Sequence, residues 1–480
     1  MTPSAAPVST ACSQCEGACA PSALEIDEAL LDRFGGRGPR YTSYPTADRF
    51  HPSVGGADLA AELRARRAMP SSPLGLYVHI PFCRTVCWYC ACNKIGTRHA
   101  EQSTPYLHAL KTEANLAAAN LNGRERVSHL HFGGGTPTFM PDAELADLIA
   151  HLRTLFDFVD DTDGEYSIEV DPRTVDPARM HRLRGLGLNR VSLGVQDFDP
   201  EVQRAVNRIQ PWQQTAALIE AGRAAGFRSI NVDLIYGLPR QTITTLRETV
   251  ARTVQLGPDR IALYHYAHLP HLFKPQRRIH EHELPSPADK ARMFEQAVRI
   301  FESAGYRHLG LDHFARTSDE LATAQREGRL HRNFQGYCSH DSGDLLGLGV
   351  SAISSVGNVY AQNERTLAQW LAALEQGRLP IARGIRLDAD DHMRRDLIQS
   401  LMCNFRADRA PLAARHGNSV HACFDEAGSR LADLAEAGAI RLDDAGVEVL
   451  PRGRLLVRAV AMAFDRHLAA APTTAYSRIA

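Results

Sequence analysis

Four cysteines lie within ten residues, in the run Cys83-Arg-Thr-Val-Cys87-Trp-Tyr-Cys90-Ala-Cys92, in a chain of 480 residues with ten cysteines in all. Their spacing decides what they could hold. Structural zinc usually takes two separated ligand pairs that clamp two pieces of backbone together. These four thiols sit in one loop, which is tight for a tetrahedral zinc cage. Three cysteines spaced three and then two residues apart suit three corners of an iron–sulfur cube, whose ligands are thiolates. A cube with three protein ligands keeps one iron open for chemistry. Zinc and chance clustering are the competing readings at this point.

The loop needs a scaffold. From Leu76 onward short β-rich runs alternate with helical stretches. The runs are Leu76–Pro81, Val127–Phe132, Tyr166–Val170, Arg190–Val195, Ile230–Leu234 and Ile261–Tyr266. Between the second and third, Leu145, Leu148, Ile149, Leu152 and Leu155 repeat with helical period over Asp142–Phe156. After the cysteine loop, Thr104 followed by Pro105 predicts a helix start, with Thr104 as the cap. Six βα units in series argue for a parallel sheet, doubly wound or curled into a barrel. In both, ligands gather at the carboxyl ends of the strands. Those ends carry the cysteine loop, Gly133-Gly-Gly-Thr-Pro137, Glu169 and Asp171, Gln196 and Asp197, Asp233, and Tyr266-Ala-His268. One acidic strand end is usually a helix cap; five polar ends in a row around a cysteine cluster predict a shared pocket. The glycine triplet alone is a weak signal that fits a tight turn, but beside such a pocket it would let a ligand approach the backbone.

Composition excludes several classes. The chain is 44% apolar and 23% charged with a formal net charge of −1. Such a balance gives no reason to expect nucleic-acid binding. No apolar stretch approaches the roughly 20 residues that span a bilayer. The start, Met-Thr-Pro-Ser-Ala-Ala-Pro, lacks the basic and apolar regions of a secretory signal. A reducing, cytoplasmic setting follows as the expectation, with thiols serving as ligands rather than disulfides.

The expected division is a flexible tail over 1–23 holding Cys12, Cys15 and Cys19, an N-terminal arm over 24–75, a barrel core over 76–270, a barrel extension with capping loops over 271–383, and a helical unit over 384–480. Within the arm, Arg40-Tyr-Thr-Ser-Tyr-Pro-Thr-Ala47 reads as extended. Its tyrosines, with Arg40 and Arg49, could pack over an anionic planar ligand or simply dock on the surface. In the last unit, Ile440–Leu442 and Val447–Leu450 predict a hairpin, and Arg454–Leu468 a helix.

Through Cys83, Cys87 and Cys90 the sequence resembles the radical S-adenosylmethionine (SAM) enzymes. Further stretches narrow the resemblance to the oxygen-independent coproporphyrinogen III dehydrogenases. They are Tyr77-Val-His-Ile-Pro-Phe-Cys83, Cys92, Gly133-Gly-Gly-Thr-Pro-Thr138, Ser167-Ile-Glu-Val-Asp-Pro172, Gly194-Val-Gln-Asp-Phe198, Asp233-Leu-Ile-Tyr-Gly-Leu-Pro239, His331-Arg-Asn-Phe-Gln-Gly-Tyr337, Arg40-Tyr-Thr-Ser-Tyr-Pro-Thr46 and Tyr476-Ser-Arg-Ile479. Together they cover the chain from about Leu30 to its end.

The resemblance implies an α/β fold, an incomplete parallel (β/α)6 barrel with a mainly helical C-terminal domain and an extended N-terminal arm. It implies a [4Fe–4S] cluster on Cys83, Cys87 and Cys90, with SAM on the open iron at Tyr77, Gly134, Glu169 and Ile353. A second SAM is implied at Tyr89, Gly135, Thr136, Gln196, Arg208, Asp233 and Ala267. Tyr89 stands where the family is expected to have phenylalanine, so its hydroxyl needs a partner. Catalytic candidates are Tyr77, Cys92, Glu169 and Gln335. Cys92 as a fourth cluster ligand would block the open iron; it is a pocket thiol or simply buried. The implied reaction removes a β-hydrogen from a propionate side chain, after which loss of CO2 and one electron leaves a vinyl group. Two propionates would react, giving protoporphyrinogen IX in porphyrin biosynthesis. The implied partners are this tetrapyrrole and an electron-donor protein such as a flavodoxin, with the enzyme a monomer. Four propionates call for cations, and Arg40, Arg49, His313, Arg316 and Arg332 are the candidates. Rival readings are a related haem carrier, a haem-modifying radical SAM enzyme and a zinc-dependent nucleic-acid module.

Overall fold

The computed structural model describes residues 24–66, 73–334, 336–339 and 343–468. The cysteines of the N-terminal tail, Gln335 and Tyr476–Ile479 lie outside the described residues.

Six parallel strands run in sequence order: β1 (Leu74–Ile80), β2 (Arg126–Gly134), β3 (Glu165–Val170), β4 (Arg190–Gln196), β5 (Ser229–Tyr236) and β6 (Arg260–His265). Helices return the chain after β1 to β4, as Ser103–Ala118, Asp142–Leu155, Pro177–Gly185 and Trp212–Ala225, and Ile243–Leu256 follows β5. Alternation along each strand separates two faces. Leu74, Leu76, Val78 and Ile80 of β1 are fully buried on the outer side, as are Ile168, Leu193, Ile230, Val232, Leu234, Ile261 and Leu263 on its neighbours. They pack under the helices in one continuous apolar cluster. The inner face is polar: the in-register rows place Tyr77 beside His131, His131 beside Ser167, Glu169 beside Ser192, and Gly194 beside Asp233. A barrel whose interior is a packed core carries branched apolar residues there. This interior is polar instead.

The sheet stays open. Beyond β6 come β7 (Tyr306–Gly310) and β8 (His313–Arg316), in the order β7-β8-β6, with β8 antiparallel to both neighbours. At the other edge β9 (Leu345–Leu348) pairs parallel with β1, and β10 (Ile353–Val356), β11 (Val359–Asn363) and β12 (Ile381–Arg386) follow antiparallel. The path ends at β7 and β12, which makes the barrel incomplete. The segment expected as barrel extension and capping loops supplies β7 to β11 and the start of β12 to the main sheet. They were hidden because they are short and β9 is buried throughout, so no alternation shows.

The C-terminal part has its own core, built from the helices Ala389–Asn404, Arg409–His416 and Ser419–Glu436 and from a three-stranded sheet of Arg406–Asp408, Ile440–Asp443 and Gly446–Val449. Two local expectations need correction, and one open alternative narrows. The helix expected over Arg454–Leu468 is a 3-10 turn, Pro451–Leu456, leading into a short helix, Val457–Met462. The helix after the cysteine loop starts at Ser103, so Thr104 is not its cap. A 3-10 turn, Ala100–Gln102, feeds straight into it, and the hydroxyls of Ser103 and Thr104 donate to Glu144 on the next helix instead. Of the two roles open to the arm, docking is the one that Tyr41 and Tyr44 show. Both are buried in the C-terminal core, where the Tyr41 hydroxyl donates to Asp465 Oδ2 at 2.8 Å.

Candidate active site

The cysteine loop leaves β1 at Pro81 and is pinned at both ends. Ile95 N donates to Pro81 O at 2.7 Å and Thr97 N to Cys83 O at 2.9 Å. In the middle, Trp88 N donates to Val206 O, and Lys94 Nζ donates to Cys90 O at 2.9 Å and Cys92 O at 3.3 Å. His79, an inner-face residue of β1, reaches Asn93 O with Nε2 at 2.9 Å and Tyr77 Oη with Nδ1 at 3.0 Å. Cys83 and Cys87 are buried, Cys90 is half-buried and Cys92 is exposed toward the barrel mouth. Cys92 hydrogen-bonds the Cys90 thiol and lies in the electrostatic reach of Tyr77 and Glu169.

The fold itself requires the glycines at the second strand end. A Cβ on Gly134, where φ is +115°, would stand 2.7 Å from the His79 ring, and one on Gly135 would stand 2.5 Å from Pro81 O. The close approach is therefore made by the chain's own β1 segment, which packs the cysteine loop onto β2. Glu169 is fixed by this arrangement. Its Oε2 accepts from Gly134 N at 3.2 Å, and His131 Nε2 lies 3.3 Å from Oε1. His131 also meets Ser167 Oγ at 2.6 Å and stacks on Tyr77, with ring centroids 5.8 Å apart. Gly347 of β9 is the register partner of Tyr77, and a Cβ there would meet the Ile353 backbone at 2.6 Å. Tyr77, Gly134, Glu169 and Ile353 thus occupy neighbouring strands.

Farther round the wall, Asp233 accepts from Ser192 Oγ at 2.7 Å and Asn231 Nδ2 at 2.8 Å, and burial pushes its carboxyl up to about 6. Gln196 has φ +72° at a bulge between β4 and β5, a left-handed conformation that costs about 1–2 kcal/mol and is typical of functional strand ends. Arg208 donates to Gly194 O and, at 3.2 Å, to Asp171 Oδ1. Gln276 joins the backbones of two other candidates, donating to Tyr89 O at 2.9 Å and Ala267 O at 3.2 Å. Thr136 Oγ1 is 3.5 Å from Cys83 Sγ. Asp197, by contrast, turns away from the pocket into a closed set with Thr249 and Gln241.

Of the five basic candidates, Arg316 is misplaced. Because β8 runs antiparallel, Arg316 falls at the amino edge of the parallel strands, where it donates to Gly257 O and Pro258 O. Arg49 pairs with Asp48 at 3.3 Å. Arg40 pairs with Asp312. His313 faces inward between Tyr264 and Tyr337, and burial together with the Arg332 and Arg40 charges holds it neutral. Arg332 sits 4.6 Å over the Tyr337 ring; its Nε and Nη1 are buried without a hydrogen bond among the described residues.

His79, His131 and Gln276 were not among the sequence candidates. The two histidines could have been found, since Tyr77/His79 and His129/His131 alternate on the inner face of their strands. Gln276 carried no signal.

The Radical SAM superfamily matches residues 77–252, and the HemN C-terminal domain matches residues 387–456. The chain is 47% identical over 456 residues to an oxygen-independent coproporphyrinogen III oxidase of Pseudomonas aeruginosa, covering 95% of this chain and 99% of the relative. The chain belongs to the oxygen-independent coproporphyrinogen III oxidase family. The Escherichia coli member is 46% identical over 445 residues, covering 93% and 96% of the two chains. A solved structure described as coproporphyrinogen III oxidase (HemN) from Escherichia coli, a radical SAM enzyme, superposes with a TM-score of 0.88 at 45% identity, covering 93% of this chain and 100% of its own. Family membership implies a [4Fe–4S] cluster and SAM. The cysteine loop fits the cluster. Arg173 Nη2 and Arg208 Nη1 both donate to Cys87 Sγ at 3.4 Å, while Asp171 is the carboxylate the two guanidinium groups share. A neutral thiol would be a weak acceptor for two cations, whereas a thiolate completes the charge balance.

Proposed function

We propose that this chain carries out the oxygen-independent oxidative decarboxylation of coproporphyrinogen III, converting two propionate side chains to vinyl groups and giving protoporphyrinogen IX. The observation that carries the reading is the pairing of a three-thiol loop with a continuous polar inner wall at the carboxyl edge of β1–β5. Cys83, Cys87 and Cys90 would hold the cluster, Tyr77, Gly134, Glu169 and Ile353 would hold a SAM beside it, and Tyr89, Gly135, Thr136, Gln196, Arg208, Asp233 and Ala267 would hold a second SAM. Together the cluster and SAM supply a carbon-centred radical able to take a hydrogen atom from an unactivated carbon.

The chain's own residues bind and orient. The Glu169 carboxylate is aimed by the Gly134 N–H and His131, so it meets an ammonium group without reorganising. Arg332, with its unpartnered nitrogens, and Arg40 receive substrate propionates, and neutral His313 offers one ring N–H beside them. Cys92 and Gln335 act on the substrate. Among the described residues no helix is long and apolar enough to cross a membrane. The enzyme works as a cytoplasmic monomer reduced by an electron-donor protein such as a flavodoxin.

The test is an anaerobic assay of the reconstituted protein with coproporphyrinogen III, SAM and a reductant, read by product mass. Formation of the divinyl product is expected. Stoichiometric haem binding with no vinyl product would overturn the reading in favour of a carrier.

A further inference from the structure

The three loop thiols do not have the same surroundings. Cys83 receives one hydroxyl, from Thr136 at 3.5 Å, and Cys90 meets the Cys92 thiol and the Lys94 ammonium. Cys87 receives two guanidinium N–H groups at 3.4 Å, and the Tyr89 hydroxyl lies beside the same sulfur. Arg173 is held rigidly for this task. Its Nε and Nη2 grip Asp171 at 3.0 and 2.6 Å, its Nη1 donates to Asn207 O at 3.3 Å, and its side chain is only 16% exposed. Asp171 is fixed in turn, since it accepts the Arg173 backbone N–H and opens a 3-10 turn with Pro172.

We propose that Arg173, acting with Arg208 through the Cys87 sulfur, is a positioning residue that sets the reduction potential of the cluster. The inference rests on Cys87 being a cluster ligand. Reduction adds one negative charge to the cluster and its thiolates, and cations or hydrogen-bond donors at a ligating sulfur stabilise that reduced form more than the oxidised one. In a site closed to water these donors are worth more than at a surface.

The experiment compares the reconstituted full chain with Arg173→Gln, Arg173→Lys and Tyr89→Phe, without SAM, by iron content and by a redox titration followed by electron paramagnetic resonance. Arg173→Gln is expected to keep parental iron and to shift the midpoint to a more negative potential. Arg173→Lys should fall between the two, and Tyr89→Phe should shift less in the same direction. An unchanged midpoint at full iron content in Arg173→Gln overturns the proposal. Loss of iron in Arg173→Gln and Tyr89→Phe also overturns it, because the donors would then retain the cluster rather than tune it. A Cys87→Ala protein with parental iron content and spectrum would instead show that the ligand assignment had failed.

Discussion

Two carboxylates on one wall have opposite environments. Asp233 accepts from Ser192 and Asn231 and is pushed up to about 6 by burial, while the Glu169 side chain is 43% exposed and accepts from Gly134 N with His131 beside it. Glu169 is the carboxylate more open to a cationic ligand. A charge-assisted hydrogen bond contributes about 1.5–3 kcal/mol, so Glu169→Ala should weaken SAM binding by about 10–100-fold. Equilibrium dialysis with the reconstituted protein checks this, and iron content should not change because Glu169 makes no hydrogen bond to a loop thiol. Cys92 is the other residue whose role geometry narrows. It is exposed and hydrogen-bonded to the Cys90 thiol, so it is not buried filler. Cys92→Ser should keep its iron and its SAM cleavage while forming no vinyl product, as read by product mass; full activity would leave the thiol without a chemical role.

At the scale of elements, the contact that seats the loop is β1 against the glycine end of β2. Gly135→Ala would press a methyl against Pro81 O at 2.5 Å, a backbone atom that cannot swing aside. A loss of about 1–3 kcal/mol in unfolding free energy is expected, together with reduced iron loading, measurable by denaturant titration and iron assay. The opposite flank of the loop depends on the helix Ser103–Ala118. Its Glu113 is buried and accepts from Gly349 N at 2.7 Å, Asn363 Nδ2 at 2.5 Å and Trp370 Nε1 at 3.1 Å, joining β9, β11 and the helix Leu367–Glu375. Burial pushes its carboxyl from 4.5 up to about 7. The folded state therefore holds the proton more tightly than the unfolded chain. This stabilisation is fully present below pH 4.5 and is lost as pH rises to about 7, an effect of roughly 3 kcal/mol. Glu113→Gln should flatten that part of the stability–pH profile, as urea unfolding at several pH values would show.

Across the whole molecule, the arm ties the two cores together. Tyr360 Oη donates to Tyr44 O at 3.0 Å from the main sheet, and Tyr41 is sunk in the C-terminal core with its hydroxyl on Asp465. Arg458 fastens the stretch before it through Gly38 O and Pro39 O. Tyr41→Ala is expected to cost about 3–5 kcal/mol, as for other large aromatic truncations. Denaturant unfolding should show this loss, and Tyr41→Phe should recover most of it.

The sequence by itself determined the chemistry-bearing loop and the six parallel strands. Both are local signals: thiol spacing is read within ten residues, and a β-rich run followed by a helical repeat is read within one βα unit. It also located the polar strand ends, because parallel strands all deliver their carboxyl ends to one edge. What only the tertiary structure decided was direction and partnership. Arg316 looked like a substrate cation until the antiparallel course of β8 carried it to the far edge. Tyr41 and Tyr44 looked available for a ligand until the C-terminal core enclosed them. Arg173, 86 residues from Cys87 in sequence, became visible only when folding brought its guanidinium to that sulfur. Short-range pattern specifies which groups sit at the edge of a strand, whereas which group meets which depends on contacts between segments far apart in the chain.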